Sequence, residues 1–98
     1  MKEILVTPGA NGALHAFISA YVNEGDEVAM FDPQFPLYLD HIRICNGVVR
    51  SIPLEYKDGN WTFDIEKVRS TLTKNTKIFI FNNPHNPTGK NFTLAEME

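Results

Sequence analysis

Short unbroken apolar runs alternate along this chain with segments of helical periodicity, and nothing else in it narrows the fold so far. "EILVT" (3–7), "EVAMF" (27–31), "VVRSIPL" (48–54) and "TKIFIF" (76–81) read as strands. Between the first two, "NGALHAFISAYVNEGDE" places Leu14, Phe17, Ile18, Tyr21 and Val22 at helical spacing, with Gly25 as the stop. "PLYLDHIRICNG" places Leu37, Tyr38, Ile42 and Cys45 on one stripe and ends at Asn46-Gly47. "KDGN" is a turn signal. Asp64 is the expected N-cap of "IEKVRSTL", with Ile65, Val68 and Leu72 facing the core. Thr93 and Glu96 form a capping box that opens a further helix.

Strand–helix alternation predicts an α/β fold with a mostly parallel sheet. Continuous apolar strands predict helices on both faces, a three-layer α/β/α arrangement. Residues 1–98 contain no linker, repeat or low-complexity tract, so a single segment is expected. A formal charge of −3 offers no basic surface for nucleic acid. No apolar run approaches the roughly 20 residues of a membrane span. One cysteine, Cys45, supports neither an internal disulfide nor a cysteine-rich metal site, and a cytoplasmic setting is the default.

Parallel sheets bind ligands in the loops beyond the carboxyl ends of their strands. Three loops therefore matter: "TPGANG" (7–12), "DPQFPLY" (32–38) and "NNPHNPTGK" (82–90). The first has small residues leading into a helix N-terminus, which can cradle a phosphate or simply turn the chain. It lacks the glycine fingerprints of dinucleotide and ATP sites. The second sets Phe35 between two prolines, as a stacking surface for a planar ring or as a core side chain. The third pre-sets a turn with Pro84 and Pro87 that holds Asn83, His85 and Asn86.

The remaining candidates read as structural. His15 is expected to pack within its helix. His41, with Asp40 and Arg43, is expected on a solvated face, as are "EGDE", "DIEK" and the Lys90 amine. Cys45 reads as a core filler and Trp61 as a packing anchor. Three scattered histidines do not have metal-ligand spacing, so no metal site is expected.

"ILVTPGANGAL", "NEGDEVAMFDPQFPLY" and "FNNPHNPTGK" together resemble the fold-type I, pyridoxal-phosphate-dependent aminotransferases of class I/II. The likeness points towards the kynurenine and glutamine aminotransferase group, cysteine-conjugate β-lyases included. It implies a partial PLP-transferase large domain, its N-terminal half. It implies pyridoxal 5'-phosphate as cofactor, with the phosphate at Gly9, Ala10 and Asn11, the latter two donating backbone N–H groups. It implies a ring stacked on Phe35, and Asn86 bonding both the phenolic oxygen and the substrate carboxylate. The Schiff-base lysine of such enzymes lies downstream of the Asn-Pro signature, so the resemblance gives this chain no catalytic residue and Lys90 is not that lysine. The implied activity is amino-group transfer from an amino acid to a 2-oxo acid by a homodimer. The alternatives are a carbon–sulfur β-lyase using the same loops and a non-catalytic α/β remnant that binds an anion or a partner.

Overall fold

The computed structural model describes residues 3–98. Its centre is a three-stranded parallel sheet of β1 (Glu27–Asp32), β2 (Val48–Pro53) and β5 (Thr76–Ile80), ordered β2-β1-β5. A short antiparallel hairpin, β3 (Glu55–Lys57) and β4 (Asn60–Thr62), follows β2. The helices are α1 (Gly9–Tyr21), α2 (Pro36–Ile44), α3 (Ile65–Thr71) and α4 (Leu94–Met97).

Alternation along β1 divides the core in two. Val28 and Met30 meet Ile18, Val22 and Ile42 from α1 and α2 on one face. Ala29 and Phe31 meet Ile52, Leu54 and Phe92 on the other, with Trp61, Phe63 and Val68 packed beside them. The sheet is therefore covered on both faces, as continuous apolar strands require. The second cover combines α3, the hairpin and the segment around Phe92.

Local signals are legible in the geometry. Asp64 caps α3 by accepting from the Glu66 N–H at 2.9 Å. Thr93 and Glu96 complete the capping box of α4. Asp58 and Gly59, at φ 51° and 81°, turn the hairpin in the left-handed region that a two-residue connection favours. Gly47 ends α2 where no side chain fits: a Cβ would stand 2.7 Å from Val22 Cγ1 and 2.9 Å from Ile42 Cγ2.

Several expectations are corrected. "EILVT" is not a strand: Ile4, Leu5 and Val6 are 69%, 77% and 91% exposed and pair with nothing in this sheet. A strand needs a neighbour for its backbone groups, and this segment adds to neither outer edge of the β2-β1-β5 sheet. Phe17 and Tyr21 lie on the outer side of α1, ring against ring at 4.7 Å, and are half exposed, while Ile18 and Val22 go inward. Ile65 and Leu72 are exposed, and Val68 alone of that trio packs on the core.

"EGDE" is not a solvated face. Glu27 is buried and accepts from Arg50 Nη2 at 2.5 Å, Thr73 Oγ1 at 2.6 Å and Thr76 Oγ1 at 3.2 Å. The Arg50 hydrogen bond, then that of Thr73, pulls the Glu27 carboxyl down to about 2. Asp26 in the same run is paired with Lys77 at 2.8 Å.

Candidate active site

The parallel strands β1 and β5 are adjacent, so their following loops leave the sheet at one edge. The loop after β1 carries Phe35 into the first turn of α2, and the loop after β5 carries His85 and Asn86. The first loop of the chain reaches the same edge by a different route. α2 must run back against the strands, because it joins β1 to the parallel β2. His15 of α1 packs on His41 of α2, ring centroids 5.2 Å apart, and Ser19 Oγ lies 3.8 Å from Cys45 Sγ one turn on. Both contacts advance in the same sense, so α1 runs parallel to α2. The N-terminus of α1 therefore lies at the carboxyl edge with the other two loops.

At that terminus Gly9 has φ 75°, and a Cβ there would meet nothing within 4 Å. Gly9, Ala10 and Asn11 are exposed. No side chain caps the helix start, and its first turn holds no acidic residue. Backbone N–H groups and an uncompensated dipole end are what an anion needs.

Phe35 is half-buried and its ring stands edge-on to Tyr38 at 5.6 Å. It is not among the residues of either core cluster.

The third loop is fastened at its base and open at its tip. The His85 N–H donates to the Lys90 carbonyl at 2.8 Å, and the Gly89 N–H donates to the His85 carbonyl at 2.7 Å. The His85 ring is buried edge-on to Phe31 and Phe92, and its Nδ1 lies 2.8 Å from Thr88 Oγ1. Burial pushes the His85 imidazole below its usual pKa, holding it neutral. The Asn83 amide clasps the backbone of Phe92 from both sides, accepting from its N–H at 3.1 Å and donating to its carbonyl at 3.4 Å. Asn86 projects from this frame and is exposed.

Two side chains differ from their expected settings. Lys90 is not a solvated amine: its side chain is 8% exposed, and Nζ donates to the Trp61 carbonyl at 2.8 Å and to Glu96 Oε1 at 2.7 Å. The run "PTGK" gives no hint of those partners, which lie well away in sequence or on the next helix. His41 is not on a solvated face either, since both its ring nitrogens are enclosed without a hydrogen-bond partner. The α1–α2 contact covers it, with the His15 ring tilted against it; His15, expected to pack within its helix, is itself exposed. Trp61 is a packing anchor, against Tyr56 at 5.2 Å and the second core cluster.

Among the described residues no cluster of three or more histidine, cysteine or acidic side chains could hold a metal. No helix of the described residues is long and apolar enough to cross a membrane.

The chain is similar to known proteins along its whole length. Residues 1–98 match the family described as Aminotransferase class I and II. The chain is 37% identical over 98 residues to the aspartate aminotransferase of Sulfurisphaera tokodaii, covering 99% of this chain and 25% of that protein. It is 34% identical over 111 residues to the kynurenine–oxoglutarate transaminase of Dictyostelium discoideum, covering 100% and 26%. Among solved structures, cystalysin from Treponema denticola, which contains a pyridoxal 5'-phosphate cofactor, superposes with a TM-score of 0.85 at 27% identity, over 93% of this chain and 23% of that one. The chain thus spans about a quarter of the length of the curated relatives it matches. By sequence and by fold, it belongs to the class I and II aminotransferases.

Proposed function

We propose that this chain supplies the phosphate, ring and phenolic-oxygen contacts of a pyridoxal 5'-phosphate site in an aminotransferase that moves an amino group from an amino acid to a 2-oxo acid. The observation that carries this reading is the single edge shared by three loops: the uncapped start of α1, Phe35 after β1 and Asn86 after β5. The donor set suits the group. An anion meets free N–H groups with no carboxylate in the first turn of α1. A planar ring meets an aromatic face, and a phenolic oxygen meets an exposed amide.

Bound there, the cofactor supplies the electron sink for chemistry at the substrate Cα. This chain's part is to bind and orient. Ala10 and Asn11 N–H groups hold the phosphate. Phe35 excludes water from one ring face. The Asn86 amide donates to the phenolic oxygen, favours its deprotonated form and helps hold the substrate carboxylate.

We infer that none of the described lysines takes the Schiff-base role. Lys74 and Lys77 lie at the amino end of β5, opposite the loops. Lys57 and Lys67 are paired with Glu55, and Lys90 is enclosed beneath its loop. We therefore infer that the catalytic lysine comes from outside residues 3–98, that the working protein is a homodimer, and that it acts in the cytoplasm, where thiols such as Cys45 stay reduced.

The test is an assay of the whole protein with pyridoxal phosphate, 2-oxoglutarate and amino donors beginning with aspartate and kynurenine. New glutamate in step with consumption of the donor supports the reading. With an S-substituted cysteine added as donor, release of a thiol, ammonia and pyruvate without a new amino acid would instead mark a carbon–sulfur β-lyase. Residues 1–98 alone should give no turnover above that of free cofactor.

A further inference from the structure

The Asn86 loop is closed by a buried charge that the site chemistry does not itself use. Lys90 Nζ reaches Trp61 of β4 at 2.8 Å and Glu96 of α4 at 2.7 Å, and stands 4.9 Å from the centroid of the Phe92 ring. None of these partners belongs to the loop. The Lys90 carbonyl in turn receives the His85 N–H at 2.8 Å, so Asn86 sits within a backbone ring whose closing residue is Lys90. Glu96 is itself held, its Oε2 accepting from the Thr93 N–H at 2.8 Å as part of the α4 cap.

An enclosed ammonium is costly, and replacing both members of a buried ion pair by apolar side chains of similar volume is often neutral or stabilising. What the charge adds is direction. A carboxylate and a carbonyl fix the amine at one point, whereas an apolar stem could settle in several.

We propose that Lys90 is a positioning residue for the cofactor site: it fixes the loop ring against the hairpin and α4 and so sets the aim of the Asn86 amide. The proposal rests on the reading that Asn86 bonds the cofactor's phenolic oxygen. Lys90 does not touch the cofactor. It acts through the backbone between His85 and Lys90.

The test compares Lys90→Met, Asn86→Ala and the double variant in the whole, cofactor-loaded protein. The readouts are the pH midpoint of the bound cofactor's absorbance and the cofactor dissociation constant. A melt of the cofactor-free protein is run beside them. Asn86→Ala should raise the midpoint and weaken binding by about 10- to 100-fold. Lys90→Met should move both in the same direction by a smaller factor, and should add nothing in the Asn86→Ala background. A lowered melt with unchanged midpoint and affinity would reduce Lys90 to a structural tie. A full additional shift in the double variant would show that it acts by another route. If Lys90→Met does not fold, Glu96→Ala removes the amine's carboxylate partner, and an unmoved midpoint there overturns the proposal. Should Asn86→Ala itself leave the absorbance and affinity unchanged, the reading of Asn86 fails first and the role of Lys90 falls with it.

Discussion

The rings of His15 on α1 and His41 on α2 meet with centroids 5.2 Å apart and planes tilted by 48°, and this contact helps fix the direction of α1. With Ser19 and Cys45 meeting one turn later, the two helices run parallel. The consequence reaches the functional edge, because a parallel α1 starts at the same edge of the sheet as the Phe35 loop and an antiparallel one would start at the opposite end.

The parallel pairing predicts a tight meeting of the helix C-termini at Gly47. Gly47→Ala would place its Cβ 2.7 Å from Val22 Cγ1 and 2.9 Å from Ile42 Cγ2. Overpacking of this kind costs about 1–3 kcal/mol. Thermal melting of the variant should show that loss with cofactor affinity unchanged. A wild-type melt would contradict the helix arrangement.

Acid sensitivity should trace to Glu27. Its carboxyl is pulled down to about 2 in the folded chain from the usual glutamate value of 4.5, so the folded state binds fewer protons than the unfolded state between those values. The stabilisation is complete above about 4.5 and is lost as the pH falls towards 2. Glu27→Gln should melt lower than the wild type at neutral pH and flatten the fall of Tm with acid over that window. An unchanged acid slope would count against the Arg50–Glu27–Thr73 network.

Phe35→Ala should weaken cofactor binding while leaving the fold nearly intact. Loss of a stacking face costs about 0.5–1.5 kcal/mol beyond area burial. A core role would instead lower stability by about 3–5 kcal/mol. The cofactor dissociation constant and the cofactor-free melt, measured on the same variant, separate the two.

Residues 1–98 prepared alone should self-associate. β2 and β5 have open edges, and Phe79 and Phe81 are 40% and 41% exposed on one side of β5. Such edges and apolar faces pair with whatever is near. Sedimentation should show concentration-dependent oligomers, and a monomer with a sharp cooperative melt would contradict this.

Much of this fold was legible because local rules and tertiary packing agreed. Asp64, Thr93 with Glu96, and Asp58-Gly59 carry local signals, and each does in the structure what its chemistry suggests. The failures share one cause: partners distant in sequence or missing from the sheet. Ile4 to Val6 have strand composition without a strand beside them. Glu27 reads as a surface acid until β2 and the turn before β5 close over it. Lys90 reads as a surface amine until Trp61 and Glu96 come to it. The place of Asn86 in the loop after β5 was legible from the order of elements, but the fastening of that loop by His85, Asn83 and Lys90 was not, because those contacts arise in three dimensions.

The central claim is that Asn86, exposed at the tip of a fastened loop, donates to the cofactor's phenolic oxygen. A hydrogen bond to a charged acceptor is worth about 1.5–3 kcal/mol and favours the deprotonated oxygen. The most direct measurement is the absorbance of the cofactor-loaded protein against pH for the wild type, Asn86→Ala and Asn82→Ala. Asn86→Ala should move the midpoint to higher pH and lower turnover with little change in Tm, while Asn82→Ala, at the strand end, leaves the curve in place. An Asn86→Ala curve that overlays the wild type would mean that "NNPHNPTGK" is only a turn, and would contradict the account.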